Sequence, residues 1–176
     1  MLPTHQPETN KVVARNRRIG VGIIDFTGWK HVHGVYKITK WLREGYKIVV
    51  ESAKRFNEEA GIPAPIRHTT IKPGGTVPKL AGKTAGIMYP NFKHTIRRIR
   101  VQENSPFDKV LINSGLIREK DKYSTNTVVY EYPILQGPSK TINEVSLWEQ
   151  AANLILVQSE WADNAVSNTL NFKPKW

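Results

Sequence analysis

Cysteine is absent from the 176 residues. That excludes disulfides, thiolate metal sites and any thiol chemistry carried by this chain itself. Long hydrophobic runs are missing too: no apolar stretch approaches the ~18 residues a membrane span needs. The opening MLPTHQPETN holds no apolar core of the kind a secretory signal uses, which points to the cytoplasm and away from a membrane. Negative charge is scarce, with 15 Asp and Glu against 26 Lys and Arg, a net +11. Such a basic excess suits polyanionic partners, or marks one piece of a larger protein whose charge is balanced elsewhere. With 39% apolar and 23% charged residues the chain reads as globular, and its length is about one domain's worth.

Residues 1–15 read as an extended leader, because Pro3 and Pro7 oppose helix and no periodicity appears before Val12. Ile19-Gly20-Val21-Gly22-Ile23-Ile24 is near-continuously apolar, as expected of a buried parallel strand. Gly28 to Gly34 reads as loop. From Val35 to Ala60, Ile38, Trp41, Leu42, Tyr46, Val49, Ala53 and Phe56 recur on one helical face, and Gly61 stops the helix. IRHTTIK at 66–72 reads as a short β-branched strand running into Pro73-Gly74-Gly75-Thr76. Residues 93–102 read as a strand with Thr95, Arg97, Ile99 and Val101 on one face.

Ser105-Pro106-Phe107-Asp108 predicts a capped helix, and residues 127–135 a strand. Thr141 with Glu144 predicts a capping box that opens a long helix whose apolar face holds Leu147, Trp148, Ala151, Leu154 and Trp161. Residues 165–172 alternate and read as a closing strand. No linker divides residues 1–176, so they form one segment. Long helices between short strands argue an α/β class with parallel pairing, and a chain ending on a strand suggests an incomplete sheet or barrel.

The best local signal for chemistry is Lys72-Pro73-Gly74-Gly75-Thr76-Val77. A strand followed by glycines exposes backbone N–H groups with little side-chain cover, and such a concavity binds phosphate. Pro-Gly-Gly is also ordinary turn chemistry, and the Walker A spacing is not met. Gly20-Val21-Gly22 lacks the third glycine of a dinucleotide fingerprint and suits close strand packing. His31 and His33 have no further metal ligands in view and read as loop histidines, so no metal site is expected. Arg97, Arg98 and Arg100 with His94 could meet phosphate or form a solvated strand edge. Trp41, Trp148 and Trp161 read as core.

Three separated stretches carry a family resemblance. Arg17-Arg18-Ile19-Gly20-Val21-Gly22-Ile23 is followed by Thr69-Thr70-Ile71-Lys72-Pro73-Gly74-Gly75-Thr76-Val77. Gly86-Ile87-Met88-Tyr89-Pro90 leads to Ile96-Arg97-Arg98-Ile99-Arg100-Val101, and the chain ends near Trp161-Ala162-Asp163-Asn164-Ala165-Val166-Ser167-Asn168-Thr169. In that order they resemble the later barrel half of ribonucleotide reductase large chains, in particular the adenosylcobalamin-dependent ribonucleoside-triphosphate reductases. The resemblance implies the later strands of a ten-stranded α/β barrel and a C-terminal position in it. It implies that Pro73, Gly74, Gly75, Thr76 and Val77 receive the phosphates of a ribonucleoside triphosphate. It implies adenosylcobalamin as cofactor of the complete enzyme, a thioredoxin-type reductant, and thiyl radical chemistry that removes the ribose 2′-hydroxyl.

That chemistry needs a radical cysteine and a reducing cysteine pair, and none is here. No catalytic residue carries over, and the chain is expected to be inactive without an N-terminal barrel half. The alternatives are a free-standing basic nucleic-acid-binding module, against which the lack of aromatics in KHTIRRIRV counts, or part of a diphosphate-specific or glycyl-radical ribonucleotide reductase.

Overall fold

A computed structural model describes residues 4–172. Helix α1 (Pro7–Asn16) replaces the expected extended leader. Pro7 does not block it: proline sits in the first turn, where its missing N–H would have no helical partner. Glu8 lies in the first turn, Arg15 in the last, and a left-handed Arg17 ends the helix. Residues 1–3 of that leader lie outside the described residues.

Helix α2 (Phe26–Glu59) starts well before the expected Val35, so Gly28–Gly34 is helical rather than loop. The glycines that suggested a loop have other causes. A Cβ on Gly28 would lie 2.5 Å from Asp25 Oδ1, so the helix start closes on the Asp25 carboxylate only without a side chain there. Gly34 adopts φ 78° and ψ 161° and breaks the helix into two rods. Gly45 faces Trp161, whose Cζ3 would be 3.3 Å from an added Cβ. Ile38 and Leu42 are buried on this helix as expected, whereas Phe56 is exposed.

Segments 19–24 and 66–72 run parallel, as their apolar and β-branched patterns predict, but only one bridge, Val21 with Thr69, forms between them. Val21 N–H donates to His68 O at 2.9 Å and Thr70 N–H to Val21 O at 3.0 Å. The sheet proper is antiparallel. Strand β1 (His94–Gln102) and strand β2 (Ile117–Lys120) flank strand β3 (Thr127–Leu135), in the order β1-β3-β2. The parallel expectation fails here because only the seven-residue α4 (Pro106–Ile112) and β2 lie between β1 and β3. A parallel crossover usually carries a full helix packed across the sheet, and the connection from β1 to β3 holds none. β1 and β3 occupy the expected places, whereas β2, short and exposed throughout, had no hydrophobic alternation to reveal it.

Ser105 caps α4 by accepting from Asp108 N–H at 3.2 Å. The Thr141–Glu144 capping box is present, but it opens only a 3-10 turn (Ile142–Glu144). Helix α5 (Leu147–Glu160) begins afterwards under its own cap, Ser146. Its buried stripe is Gln150, Asn153, Val157 and then Trp161, while Trp148 is 80% exposed and is no core residue. Residues 165–172 form no strand. Their backbone is satisfied by α5 side chains instead: Gln150 accepts from Asn171 N–H at 2.9 Å and donates to Asn171 O at 2.8 Å.

Two cores result. Phe26, Ile38, Leu42, Ile71, Ile87, Val157, Trp161 and Ala162 join α2 to α5 and to the chain at Ile71 and Ile87, which flank the short α3 (Val77–Leu80) in sequence. Val101, Val128 and Tyr130 form a separate core within the sheet. No helix among the described residues is long and apolar enough to cross a membrane.

Candidate phosphate-binding loop

The loop from Pro73 to Val77 is exposed, but both its ends are anchored. Ile71 before it and Pro78 after it are buried. Gly86, at φ 51°, lets its backbone approach Lys72 O so closely that a Cβ would stand 2.8 Å away. Lys72 lays its stem over Gly20 and Gly22, and its Nζ donates to Gly20 O at 2.8 Å. A Cβ on Gly20 would come within 3.0 Å of Thr70 Cγ2, which accounts for that glycine, whereas one on Gly22 would meet only ordinary contacts. Arg97 of β1 reaches across and donates from Nη1 to Gly75 O at 3.1 Å.

Within this frame Gly74, Gly75 and Thr76 donate their N–H groups to no backbone or side-chain acceptor among the described residues, and the Thr76 hydroxyl has no partner there. Three consecutive free amides and a hydroxyl form a donor array suited to an anion. Neither glycine has a positive φ. Gly74 is needed because a Cβ would press on Pro78 at 3.0 Å, whereas a Cβ on Gly75 would meet nothing within 4 Å. The four-residue α3 that follows is too short to add much dipole.

The other sequence candidates resolve differently. Arg98 pairs with Glu119 and Glu131, and Arg100 with Asp121 at 2.9 Å. The basic strand of the nucleic-acid reading is therefore largely neutralised by the protein's own carboxylates. His33 packs edge-on between Trp29 and Trp41, at 6.2 and 5.0 Å between ring centroids. Among the described residues no group of three or more His, Asp or Glu could hold a metal ion. Cobalamin carries its cobalt in a corrin, so it needs a broad enclosing surface rather than such a cluster. The apolar cleft between Ile23, Phe26, Trp29 and Trp41 is only about 170 Å³. These residues alone do not enclose a corrin.

Sequence reasoning missed several polar clusters. Lys30 Nζ meets Asn153 Oδ1 at 2.7 Å, beside a Tyr89 hydroxyl that donates to Glu149 at 2.7 Å. Burial first, then the Glu149 contact, pushes the Tyr89 phenol well above its usual range. In the sheet core, buried Asp108 accepts from the Tyr130 hydroxyl at 2.5 Å and pairs with Arg118 at 3.3 Å. Hydrogen bonds from Arg118, then from Tyr130, hold its carboxyl down at about 2. No charge spacing announced these contacts, because each joins residues from different elements.

No protein-family model matches the chain. It is 38% identical over 172 residues to a Dictyostelium discoideum protein named "Probable adenosylcobalamin-dependent ribonucleoside-triphosphate reductase", covering 97% of this chain and 23% of that one. It is 34% identical to the adenosylcobalamin-dependent ribonucleoside-triphosphate reductase of Euglena gracilis, over 99% of this chain and 24% of the relative. The crystal structure of a B12-dependent (class II) ribonucleotide reductase superposes with a TM-score of 0.76 at 29% identity, over 92% of this chain and 27% of that one. The chain spans about a quarter of the length of the curated relatives it matches. Over nearly its whole length, this chain is a homologue of a segment of the adenosylcobalamin-dependent ribonucleoside-triphosphate reductases and shares the fold of that segment.

Proposed function

We propose that this chain supplies the substrate-phosphate loop of an adenosylcobalamin-dependent ribonucleoside-triphosphate reductase. The observation that carries this reading is the run of unpartnered N–H groups at Gly74, Gly75 and Thr76 on an anchored loop. In this reading the three amides and the Thr76 hydroxyl donate to oxygens of the substrate's phosphate chain, between Pro73 and Val77. Open space at Gly75 admits those oxygens close to the backbone. The loop binds and orients, so the reacting ribose lies where the rest of the enzyme can reach it.

The radical chemistry belongs to other residues of the assembly, because this chain has no thiol. In this reading the rest of the assembly supplies what this chain lacks: a barrel half bearing the cysteines, the site for adenosylcobalamin, and access to a thioredoxin-type reductant, in the cytoplasm. The later strands of the family's ten-stranded barrel, and a C-terminal place in it, remain the architecture this reading assigns to the segment.

The test is nucleotide titration of the reductase reconstituted with a complementing barrel half. Thr76→Ala should weaken ribonucleoside triphosphate binding by about 1.5–3 kcal/mol, the range for a hydrogen bond to a charged group. Gly75→Val should weaken it further by filling the approach, while cobalamin binding stays unchanged. Wild-type nucleotide affinity in both variants, with the fold intact, would place the phosphates elsewhere.

A further inference from the structure

Arg97 differs from the other arginines of the sheet. Arg98, Arg100 and Arg118 each meet at least one carboxylate, but Arg97 meets none among the described residues. It lies on the inner face of β1, opposite Tyr132 of β3. Among the described residues its side chain makes one hydrogen bond, from Nη1 to Gly75 O, and its Nε is buried without a partner. A buried donor left unpaired destabilises a fold. The guanidinium is therefore poorly explained as a stabilising group of the sheet.

The Gly75 carbonyl belongs to the same peptide unit as the Thr76 N–H. That unit is planar and trans, so its C=O and N–H point in opposite directions. Whatever grips the oxygen also aims the hydrogen. Glycine on the N-terminal side gives the unit little resistance to flipping, and nothing crowds Gly75. A fixed cation on the oxygen removes that freedom. It also polarises the peptide, which strengthens the N–H as a donor. Lys72 holds the start of the same loop in a similar way, through the Gly20 carbonyl.

We propose that Arg97 is a positioning residue for the phosphate loop: by holding Gly75 O it fixes the peptide to Thr76 so that the Thr76 N–H points away from β1, towards an incoming phosphate. This rests on the reading of Pro73–Val77 as the phosphate site. Arg97 acts through the peptide and need not touch the substrate.

The experiment uses the full chain, labelled with ¹⁵N, and inorganic tripolyphosphate as probe. In the wild type, titration should shift the Gly74, Gly75 and Thr76 amide signals. Arg97→Gln should broaden the Gly75 and Thr76 signals even without ligand, as the peptide begins to flip. It should also weaken tripolyphosphate binding roughly tenfold, the size expected for loss of one well-aimed bond to an anion. Arg97→Lys, which keeps one donor and the charge, should recover part of that loss. Arg98→Gln removes the same charge from the neighbouring position and should leave both readouts at wild type. If Arg97→Gln loses the β1–β3 cross-strand contacts, Arg97→Met, which keeps the stem, takes its place with the same expectation.

Sharp loop signals and unchanged affinity in the Arg97 variant overturn the proposal. So does an equal loss in Arg98→Gln, which would mean that net charge alone matters. No shift of the loop amides in the wild type overturns the phosphate reading itself, and the positioning role of Arg97 with it.

Discussion

Asp163 Oδ2 accepts the His68 N–H at 2.7 Å and the Thr69 N–H at 3.3 Å, while Oδ1 takes the Tyr46 hydroxyl at 2.9 Å. One carboxylate, just beyond α5, thereby satisfies two backbone donors of the segment that leads into the phosphate loop. Burial pushes its pKa up, but these bonds together hold it below the ordinary aspartate range. Asp163→Ala should leave the two amides and the hydroxyl unpaired and cost about 1–3 kcal/mol. Asp163→Asn, which keeps an acceptor, should cost less. Urea denaturation of the three proteins checks this, and equal midpoints would contradict it.

Acid should release the sheet core through Asp108. Its folded pKa of about 2 lies below the ordinary aspartate value, so the group contributes stability that is complete above about pH 4. That contribution is lost progressively as the pH falls from there to about 2. Asp108→Asn should flatten the stability profile across this window and lower stability at neutral pH, where Arg118 is left without its buried partner. Denaturant midpoints measured between pH 2 and pH 7 give the answer. A parallel acid dependence in the variant would show that other carboxylates dominate.

Two glycines should respond differently to alanine. Gly28→Ala places a methyl 2.5 Å from Asp25 Oδ1, and Asp25 is buried against Thr84 and Lys83, so it has little room to yield. A loss of about 1–3 kcal/mol is expected from such overpacking. Gly75→Ala meets nothing within 4 Å and requires no positive φ, so its stability should match wild type. Thermal melts of both variants discriminate, and a stable Gly28→Ala protein would refute the close-approach account.

The purified chain, mixed with adenosylcobalamin, a dithiol reductant and ribonucleoside triphosphate, should form no deoxynucleotide above background. Without cysteine it has no atom on which a thiyl radical can reside. Chromatographic detection of product from protein free of contaminating reductase would overturn this division of labour.

The elements legible in the sequence were those with a clear period or cap. Strand β3 spans the expected residues 127–135, and Ser105 caps the expected helix. Failures came where one residue type serves two purposes. Pro7 and Gly28 read as helix breakers, yet one starts a helix and the other clears space for a carboxylate. The buried face of α5 was found only in part: Trp161 is buried and Leu154 packs on the core as expected, but Gln150 and Asn153 occupy the rest, and hydrophobic spacing cannot find carboxamides. At the phosphate loop, the segment itself was evident from Pro-Gly-Gly-Thr after a strand. Its hold on Arg97 was not, since that contact spans 22 residues and depends on which face of β1 turns inward.

The separation of the two cores sets an order of assembly. Strands β1 to β3 come from one contiguous stretch, 94–135, and Val101, Val128 and Tyr130 are all within it. Closing that short length of chain costs little entropy, so the sheet can form from local encounters alone. Packing α2 on α5 must instead bring together distant residues, as the surface pair Arg43 and Glu160, 117 positions apart, shows. The antiparallel sheet should therefore be the early unit in folding and should protect its amides from solvent exchange as a block, before α2 and α5 pack together.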